Sequence, residues 1–419
     1  MQAKSPNRII FILLAFTLVF SQGAKAQTPD AGLMAGCAFY RSGEFTKALE
    51  SFTVAISRNN ADERLFLYRG RTLLELKDYE NAIRDFSEAN EIIPGIGDIW
   101  LARANALAGD GDKALTFLKS HLSSDFRLPE DSINKDRAFE GLHASKGWYA
   151  LWDQEWYSDQ EKAAREVAYY VKKSQPDKAI SYLDEQITNF QASPKLFALR
   201  GKVYLKQGNY ASAIADYTSA LNMEKKGGQG QQFSTLNPEE SHYYNRALAF
   251  LGAGRFKDAL ADFNKAMREF PENFDGYLKR AEAYAGMENY ESARKDVLFY
   301  LNYIKNDQKA IFQCGEYYYD GGDYMSALKY FNINLKEDPV NGQYFKARGK
   351  TYLKTATYKY AVSDLSMSLD LNPDDAETWM FLGLAKIQSG DKTNGCSDLQ
   401  KAKQLGNTEV LRYIIDNCN

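Results

Sequence analysis

A spacing of 34 residues recurs along this chain and constrains its fold more than any other feature. Small, aromatic and proline residues return at fixed places in units that start at 63, 194, 240, 274, 342 and 376. A further unit at 308 fits between them, so five consecutive starts keep the same interval. A fixed period of this length indicates stacked units that share one continuous core, not a set of separate globular domains.

The unit from Glu240 shows the pattern most completely. Its marks are Ala247, Phe250, Gly254, Phe256, Ala259, Phe263, Ala266 and Pro271. Small residues at positions 8 and 20 of the unit let two helices approach closely. Aromatic residues at positions 11, 17 and 24 fill the gap, and proline at position 32 ends the second helix. These marks resemble the tetratricopeptide repeat family, whose unit is a pair of antiparallel helices. The resemblance implies an all-α, right-handed superhelical solenoid of about ten units.

Weaker units complete the domain organisation. One begins near Pro29, residues 97–121 form a shortened unit, and residues 160–193 form a degenerate one. A Gly/Gln-rich segment at 228–239 predicts an exposed polar loop. The predicted organisation is N-terminal repeats (27–121), an irregular, aromatic-rich helical connector (122–159), a C-terminal array (160–409) and a capping helix (410–419).

The connector holds three tryptophans, Trp148, Trp152 and Trp156, spaced to lie on one face of a helix. One interpretation is a hydrophobic joint between two stacked arrays. The other is an exposed aromatic anchor, since tryptophan is enriched at binding hot spots.

Residues 1–26 predict a signal peptide. Lys4 and Arg8 precede a twelve-residue apolar run (9–20), and Ala24 and Ala26 flank a small-x-small cleavage site. Twelve apolar residues are fewer than the roughly 20 that span a bilayer. No later stretch is long and apolar enough to cross one. We therefore expect export, with no membrane span after cleavage. The sequence at 33–37 resembles a lipobox, but it is separated from the apolar run and falls inside a repeat, so lipidation is disfavoured.

Gram-negative envelope proteins with repeat arrays behind a signal peptide are similar in layout. That similarity favours a periplasmic or envelope-associated bacterial protein over a secreted one. Cleavage would remove three basic residues and leave 49 basic and 55 acidic ones, a net charge of about −6. An acidic chain argues against nucleic-acid binding, which needs a concentrated basic face.

Nothing in the sequence indicates catalysis, a cofactor or a metal. The chain has three histidines, none at metal-ligand spacing, and it lacks phosphate-binding and nucleophile motifs. We expect a non-enzymatic protein.

Two charged positions appear and disappear together among the units. Position 7 is arginine and position 23 is aspartate in five units, whereas the units from 29, 160 and 308 have neither. Such co-occurrence predicts partly buried structural ion pairs. The pairs are Arg69 and Asp85, Arg200 and Asp216, Arg246 and Asp262, Arg280 and Asp296, and Arg348 and Asp364.

The last unit and the capping helix each carry a cysteine. If the helices are antiparallel around a turn at 405–407, Cys396 and Cys418 lie at similar distances from that turn, roughly 12–15 Å at 1.5 Å per residue. This predicts a disulfide, the alternative being two buried thiols. Cys37 and Cys314 are expected to be buried and free.

The resemblance also implies a concave groove lined by positions 2, 5, 9, 12 and 13 of the first helices. Its charge is expected to be basic, then acidic and aromatic, then basic again, which suits a protein or peptide partner. The alternative is that these are the ordinary solvated charges of a helical array. The candidate groove residues are Lys195, Lys202, Lys206, Tyr244, Leu248, Glu282, Phe312, Glu316, Tyr319, Lys346, Lys350 and Lys354.

The sequence thus predicts an exported scaffold for protein–protein interaction. The alternative is an envelope carbohydrate- or nutrient-binding protein that uses the aromatic cluster at 148–157.

Overall fold

A computed structural model describes residues 30–189, 192–226 and 241–418. The predicted signal peptide and the polar loop 228–239 lie outside these residues. The described chain is entirely helical. Its α-helices are α1 (Ala31–Arg41), α2 (Phe45–Arg58), α3 (Glu63–Glu75), α4 (Tyr79–Ile92), α5 (Asp98–Leu107), α6 (Gly111–Ser123), α7 (Glu130–Asn134), α8 (Lys146–Trp152), α9 (Asp159–Lys172), α10 (Pro176–Asn189), α11 (Pro194–Lys206), α12 (Tyr210–Lys226), α13 (His242–Gly252), α14 (Phe256–Glu269), α15 (Phe274–Ala285), α16 (Tyr290–Tyr303), α17 (Gln308–Asp320), α18 (Tyr324–Glu337), α19 (Gly342–Lys354), α20 (Tyr358–Leu371), α21 (Ala376–Gln388), α22 (Lys392–Gln404) and α23 (Val410–Cys418).

The helix starts follow the repeat. First helices begin at the predicted residues 63, 194, 274, 308, 342 and 376, and α13 begins two residues after the predicted start at 240. Each first helix packs against the second helix of its own unit, which confirms the all-α array of antiparallel pairs. Residues 97–121 form a regular pair, α5 and α6.

Close approach of the paired helices explains the small residue at position 8. A Cβ atom added to Gly70 would lie 2.5 Å from Cε1 of Phe86, the position-24 ring of the same unit. Gly315 faces Phe331 in the same way. Both rings are almost fully buried, so the small residue and the ring together form the core of the pair.

The turn between the helices of a pair places one residue, at position 15, in the left-handed region. Most units have glycine there, for example Gly254 at φ 70° and Gly322 at φ 81°. Four units have another residue, namely Lys77, Ser174, Glu288 and Ala356, with φ between 55° and 60°.

The first helices form the inner layer of the array. They contact the first helices of neighbouring units, as α11 contacts α13 and α13 contacts α15. The second helices contact the first helix of the following unit, so they lie on the outside. This layering gives the superhelix a groove lined by first helices. Across residues 30–189, 192–226 and 241–418, no helix combines the length and apolar character that crossing a bilayer requires.

The connector differs from the prediction in one respect. It consists of α7, a 3₁₀ helix (Arg137–Leu142) and α8, which ends at Trp152, so Trp156 does not share a helix with Trp148 and Trp152. The indole Nε1 of Trp156 donates a hydrogen bond to the carbonyl oxygen of Leu151, 2.8 Å away. That carbonyl belongs to the last turn of α8 and has no partner inside the helix, so Trp156 caps the helix instead of extending it.

The N-terminal units also touch the C-terminal array. Helix α1 contacts α16, and the two belong to one apolar cluster that includes Leu33, Met34, Phe274 and Tyr300. The superhelix therefore brings together residues more than 200 positions apart in sequence.

Candidate partner-binding groove

The arginine and aspartate of each predicted pair lie together within one unit. Arg246 Nε and Nη2 donate to the two carboxylate oxygens of Asp262 at 2.6 and 2.9 Å. The other four pairs have the same geometry, with two nitrogen–oxygen distances each, all between 2.6 and 2.9 Å. The aspartate side chains are 3–9% exposed and the arginine side chains 15–21%. The pairs therefore join the two helices of a unit and do not face the groove.

Each of these arginines also reaches the preceding unit. The remaining nitrogen, Nη1, donates to a polar side chain at position 25 of that unit, for example Thr218 for Arg246 and Asn264 for Arg280. The corresponding acceptors for the other arginines are Thr53, Asp184 and Asn332. The arginine thus links three helices and two units. The polar residues at position 25 were visible in the sequence, but only the pairing at positions 7 and 23 was predicted.

Units without the pair close differently. In the unit from 308, positions 7 and 23 are Cys314 and Tyr330, which pack in the same apolar cluster, with the thiol buried. Burial raises the pKa of this thiol to about 12. In the last unit, Leu382 is buried and Lys386 pairs with Asp398 at 2.7 Å.

The groove contains an apolar pocket with a volume of about 560 Å³. It lies where the units from 194, 240 and 274 meet, and its lining includes the predicted residues Leu248 and Glu282. The other lining residues are Leu205, Tyr210, Leu251, Gly252, Phe256, Lys279 and Gly286. Most stand at positions 9, 12 and 13 of first helices.

Two aromatic rings shape this pocket. Tyr210 and Phe256 stand at position 17 of their units, and each ring lies against a glycine of the following first helix, Gly252 or Gly286. Because these glycines lack a side chain, the rings can lie flat on the inner helices and expose an edge to the pocket. Lys279 Nζ and Glu282 Oε1 form an ion pair of 2.7 Å at its rim.

The first helix on the N-terminal side of the pocket, α11, carries three predicted basic residues. Lys195, Lys202 and Lys206 are exposed, and among the described residues none of them forms an ion pair. On the opposite side, Glu316 and Asp320 follow one another along α17. Partial burial and mutual repulsion raise the pKa of Glu316, and partial burial raises that of Asp320, whereas the nearby Lys350 lowers both. Tyr319 lies beside them and packs against Tyr324.

Two predicted groove residues lie in the core instead. Tyr244 is 8% exposed and packs against Phe263, and Phe312 is 9% exposed between Phe331 and Tyr344. Position 5 turns these large rings toward the outer helix, where they fill the space between helices. Neither ring is available to a partner.

The second basic stretch is largely neutralised. Lys346 pairs with Asp375 at 2.9 Å and with Glu377 at 2.6 Å, and Lys350 pairs with Glu377 at 3.2 Å. Lys354 is exposed, with no ion pair in the part of the chain that the structure describes. The expected return to a basic groove is therefore wrong apart from Lys354.

The tryptophans pack inside the connector and against the N-terminal units. Trp148 is 6% exposed and contacts Phe139, His143 and Trp152. Trp152 and Trp156 pack against the same cluster, which also includes Leu118 and Leu122 of α6. Trp148 is therefore not available for sugar stacking, Trp152 and Trp156 are partly buried, and nothing here supports the carbohydrate-binding alternative.

The last unit brings Cys396 and Cys418 into disulfide geometry, with Cα atoms 5.6 Å apart. Cys37 and Cys314 are buried and unbonded to another cysteine.

Sequence reasoning missed a second cluster, in the groove of the N-terminal units. Glu272, from the turn between α14 and α15, reaches Arg64 and Tyr68 of α3. Arg71 of the same helix lies among three aromatic rings, those of Tyr40, Tyr68 and Trp100, at 4.8–5.4 Å. Arg71 stands at groove position 9, which was the signal available in the sequence.

Comparisons with known proteins agree with this architecture. Two family profiles, both described as tetratricopeptide repeat, match residues 250–295 and residues 33–95 and 165–229. The chain is 21% identical to tetratricopeptide repeat protein 16 of Macaca fascicularis, covering 83% of this chain and 43% of that protein. It is 23% identical to a DnaJ homolog subfamily C member 7 homolog of Schizosaccharomyces pombe, covering 66% and 64%. The chain thus spans less than two thirds of the length of these relatives.

Among solved structures, a tetratricopeptide repeat protein from Parabacteroides merdae is 23% identical, with a TM-score of 0.47 over 62% of this chain and 99% of that one. The C-terminal part of a repeat protein from Cytophaga hutchinsonii gives 14% identity and a TM-score of 0.49 over 61% and 99%. The matched residues are tetratricopeptide repeats, and the period and the paired helices of the other units agree with the same repeat.

Proposed function

We propose that this protein is a non-enzymatic scaffold that docks a protein partner in the groove of its C-terminal array. The observation that carries the proposal is the apolar pocket between the units from 194, 240 and 274. Tetratricopeptide repeat proteins generally mediate protein–protein interaction, and a relative of this chain is described as an Hsp70-Hsp90 organizing protein.

The chemistry of the groove specifies the kind of segment it would hold. The pocket offers Leu205, Leu248 and Leu251 to one large apolar side chain. Unpaired lysines at Lys202 and Lys206 on one side favour acidic residues, and Glu316 and Asp320 on the other side favour basic ones. The proposed ligand is an extended peptide segment with a central apolar anchor and opposite charges on its two sides.

We also propose export to a bacterial envelope. The proposal rests on the signal-peptide features of residues 1–26 and on the Cys396–Cys418 pair, since disulfides persist in oxidising compartments. Fractionation of cells that express the full chain would test it. Recovery of the uncleaved chain in the cytoplasm would contradict it.

The groove proposal is tested by a change in the pocket. A peptide library would be selected on the full chain, and binders would be measured by fluorescence anisotropy. Leu248→Glu places a charge in the pocket and should weaken the selected peptides at least about tenfold, since burying an unpaired charge is costly.

Met325→Glu is the matched control, because Met325 is 72% exposed on α18 and lies outside the pocket. It should leave affinity unchanged. Equal affinity of both variants for the selected peptides would overturn the assignment of the pocket. Circular dichroism would show that both variants fold.

A further inference from the structure

The groove of the N-terminal units is occupied by the protein itself. The turn between α14 and α15 brings Glu272 against α3, where its Oε1 accepts a hydrogen bond from the Tyr68 hydroxyl at 3.2 Å. Arg64 Nη1 lies 3.5 Å from the other carboxylate oxygen. Pro271, Glu272 and Phe274 are all buried, although they belong to a surface turn of their own unit.

Part of the surface that receives the turn stands at groove positions. Arg64 stands at position 2 of its unit and Cys37 at position 9 of the unit from 29. Leu33 stands at position 5, the position that faces the outer helix in the C-terminal array, and it is buried. The turn thus sits where a peptide partner would sit, with an acidic side chain between two aromatic ones.

The fit of this internal segment is incomplete. Oε2 of Glu272 is buried and has no hydrogen-bond donor, because the Arg64 contact is long and Arg64 is held by Asp62 through two bonds of 2.9 and 2.7 Å. Burial raises the pKa of Glu272 even with Arg64 and Tyr68 nearby. An ion pair that closes the contact from outside, between Arg41 and Asp275, is half-exposed and contributes little.

A second cation lies in the same groove. Arg71 is half-buried and forms no ion pair with a described residue, and its buried Nε lacks an acceptor. The carboxylate of Glu75, on the same helix, accepts a hydrogen bond from the neighbouring Tyr40 hydroxyl at 3.4 Å. It lies beside Tyr68, whose hydroxyl donates a hydrogen bond to Glu272. Burial and the charge of Glu272 raise the pKa of the Cys37 thiol, whereas the charge of Arg71 lowers it. Other half-buried arginines have a carboxylate partner, as do Arg64, Arg69, Arg103, Arg127, Arg200, Arg246, Arg280 and Arg348. Arg294, which has none, donates to the Tyr317 carbonyl oxygen.

We propose that the turn 270–275 is an internal ligand that closes the N-terminal groove, and that an aromatic peptide segment with two carboxylates displaces it by pairing with both Arg64 and Arg71. The internal turn supplies Glu272 to Arg64 and Asp275 to Arg41, and leaves Arg71 without a carboxylate. The external segment supplies a carboxylate to Arg71 as well, so the same surface prefers it once its local concentration is sufficient. The aromatic rings around Arg71 hold the guanidinium in place and shield it from water.

Closure is measured as a distance in the full chain. Spin labels at Asn59→Cys and Asn302→Cys, both exposed positions, report the separation of the N-terminal units from α16. In the parent chain we expect one short distance. Glu272→Gln and, separately, Arg64→Gln remove the ion pair from either side and should add a longer distance. An unchanged distribution in both variants would overturn the internal-ligand assignment.

Displacement is measured with two labelled peptides. The first has the sequence of residues 268–276, REFPENFDG, and the second has aspartate in place of its asparagine, at the position of Asn273. The second should bind the parent chain about tenfold more tightly and lengthen the spin-label distance. Glu272→Gln should bind both peptides more tightly, because the groove is open more often.

Arg71→Gln should abolish the preference for the second peptide without altering the distance in the absence of peptide. Arg84→Gln is the matched control, since Arg84 is exposed on α4 and pairs only with the exposed Glu80. A preference that survives in Arg71→Gln would overturn the second carboxylate site. These results do not depend on the pocket at Leu248, so failure here leaves the proposed function of the C-terminal groove standing.

Discussion

The units from 240 and 308 close the same helix pair by different chemistry. In the first, Arg246 and Asp262 form a bidentate ion pair, and Arg246 extends to Thr218 of the preceding unit. In the second, Cys314 and Tyr330 occupy the same positions and pack together in an apolar cluster without an ion pair. The repeat tolerates either solution, so the ion pair is not required by the fold itself.

The preceding unit explains which solution a unit can use. Every arginine at position 7 finds a polar acceptor at position 25 of the unit before it. For Cys314, the residue at position 25 of the preceding unit is Leu298, whose side chain offers no hydrogen-bond acceptor. An arginine at position 314 would leave part of its guanidinium without a partner. The arginine at position 7 therefore bonds to residues at two further positions, one in its own unit and one in the preceding unit.

The largest expected effect comes from breaking the ionic version. Asp262→Ala leaves Arg246 with Thr218 as its remaining partner in a site where the arginine side chain is 15% exposed. We expect a loss of about 3–5 kcal/mol in the free energy of unfolding of the units around α14. Hydrogen exchange during urea unfolding would measure it locally, because repeat arrays do not always unfold in one step.

A double-mutant cycle with Arg246→Leu completes this test. The two single changes should be strongly non-additive, since the second removes the charge that the first leaves unpaired. Asp258→Ala is the control, because the Arg255–Asp258 pair is about half-exposed and should contribute under about 1 kcal/mol. Additive single changes would show that the buried pair is not a coupled unit.

A smaller effect is expected from the neutral version. Cys314→Ala removes a buried thiol and leaves a small cavity but no unpaired charge, so it should cost about 1–2 kcal/mol. Its cost should also be insensitive to salt. A loss as large as that of Asp262→Ala would remove the distinction between the two closures.

The same thiol gives a chemical readout. With its pKa raised to about 12 by burial, Cys314 remains protonated at pH 8 and should not react with a thiol reagent while the chain is folded. Unfolding in urea should expose both Cys314 and Cys37 to the reagent. Rapid labelling of Cys314 in the folded chain would show that the unit opens readily despite its closure.

These units also show which structural features could be predicted from the sequence. The period fixed the starts of the helices because small and aromatic residues must alternate to let two helices touch. The ion pairs could be predicted because Arg246 and Asp262 lie within one unit, where spacing is constant. The placement of Tyr244 failed, because rotation of α13 about its own axis decides whether position 5 faces the groove or the outer helix.

The repeat pattern could not predict the contacts between distant units. Arg64 and Glu272 lie 208 residues apart, and their meeting depends on the pitch of the superhelix and on the angle set by the connector. The connector in turn is held by Trp148 and Phe139, whose packing has no period to follow. Small angular errors at each joint add up along a solenoid, so local patterns do not determine which groove ends up closed.

The smallest expected effect compares two units that share the ion pair but differ at the turn. Gly254 at position 15 of the unit from 240 has φ 70°, whereas Ala356 at the same position of the unit from 342 has φ 56°. A left-handed conformation costs a residue with a side chain roughly 1–2 kcal/mol, and glycine avoids this at some cost in chain entropy. Ala356→Gly should therefore raise the free energy of unfolding by about 0.5–1 kcal/mol. Gly254→Ala is the reciprocal change and should lower it by a similar amount, as no described atom lies within 4 Å of the added Cβ and only the backbone conformation is affected. If both changes destabilised the chain, the turn residue of each unit would be fitted to its own surroundings, and the two units could not be compared through their ion pairs alone.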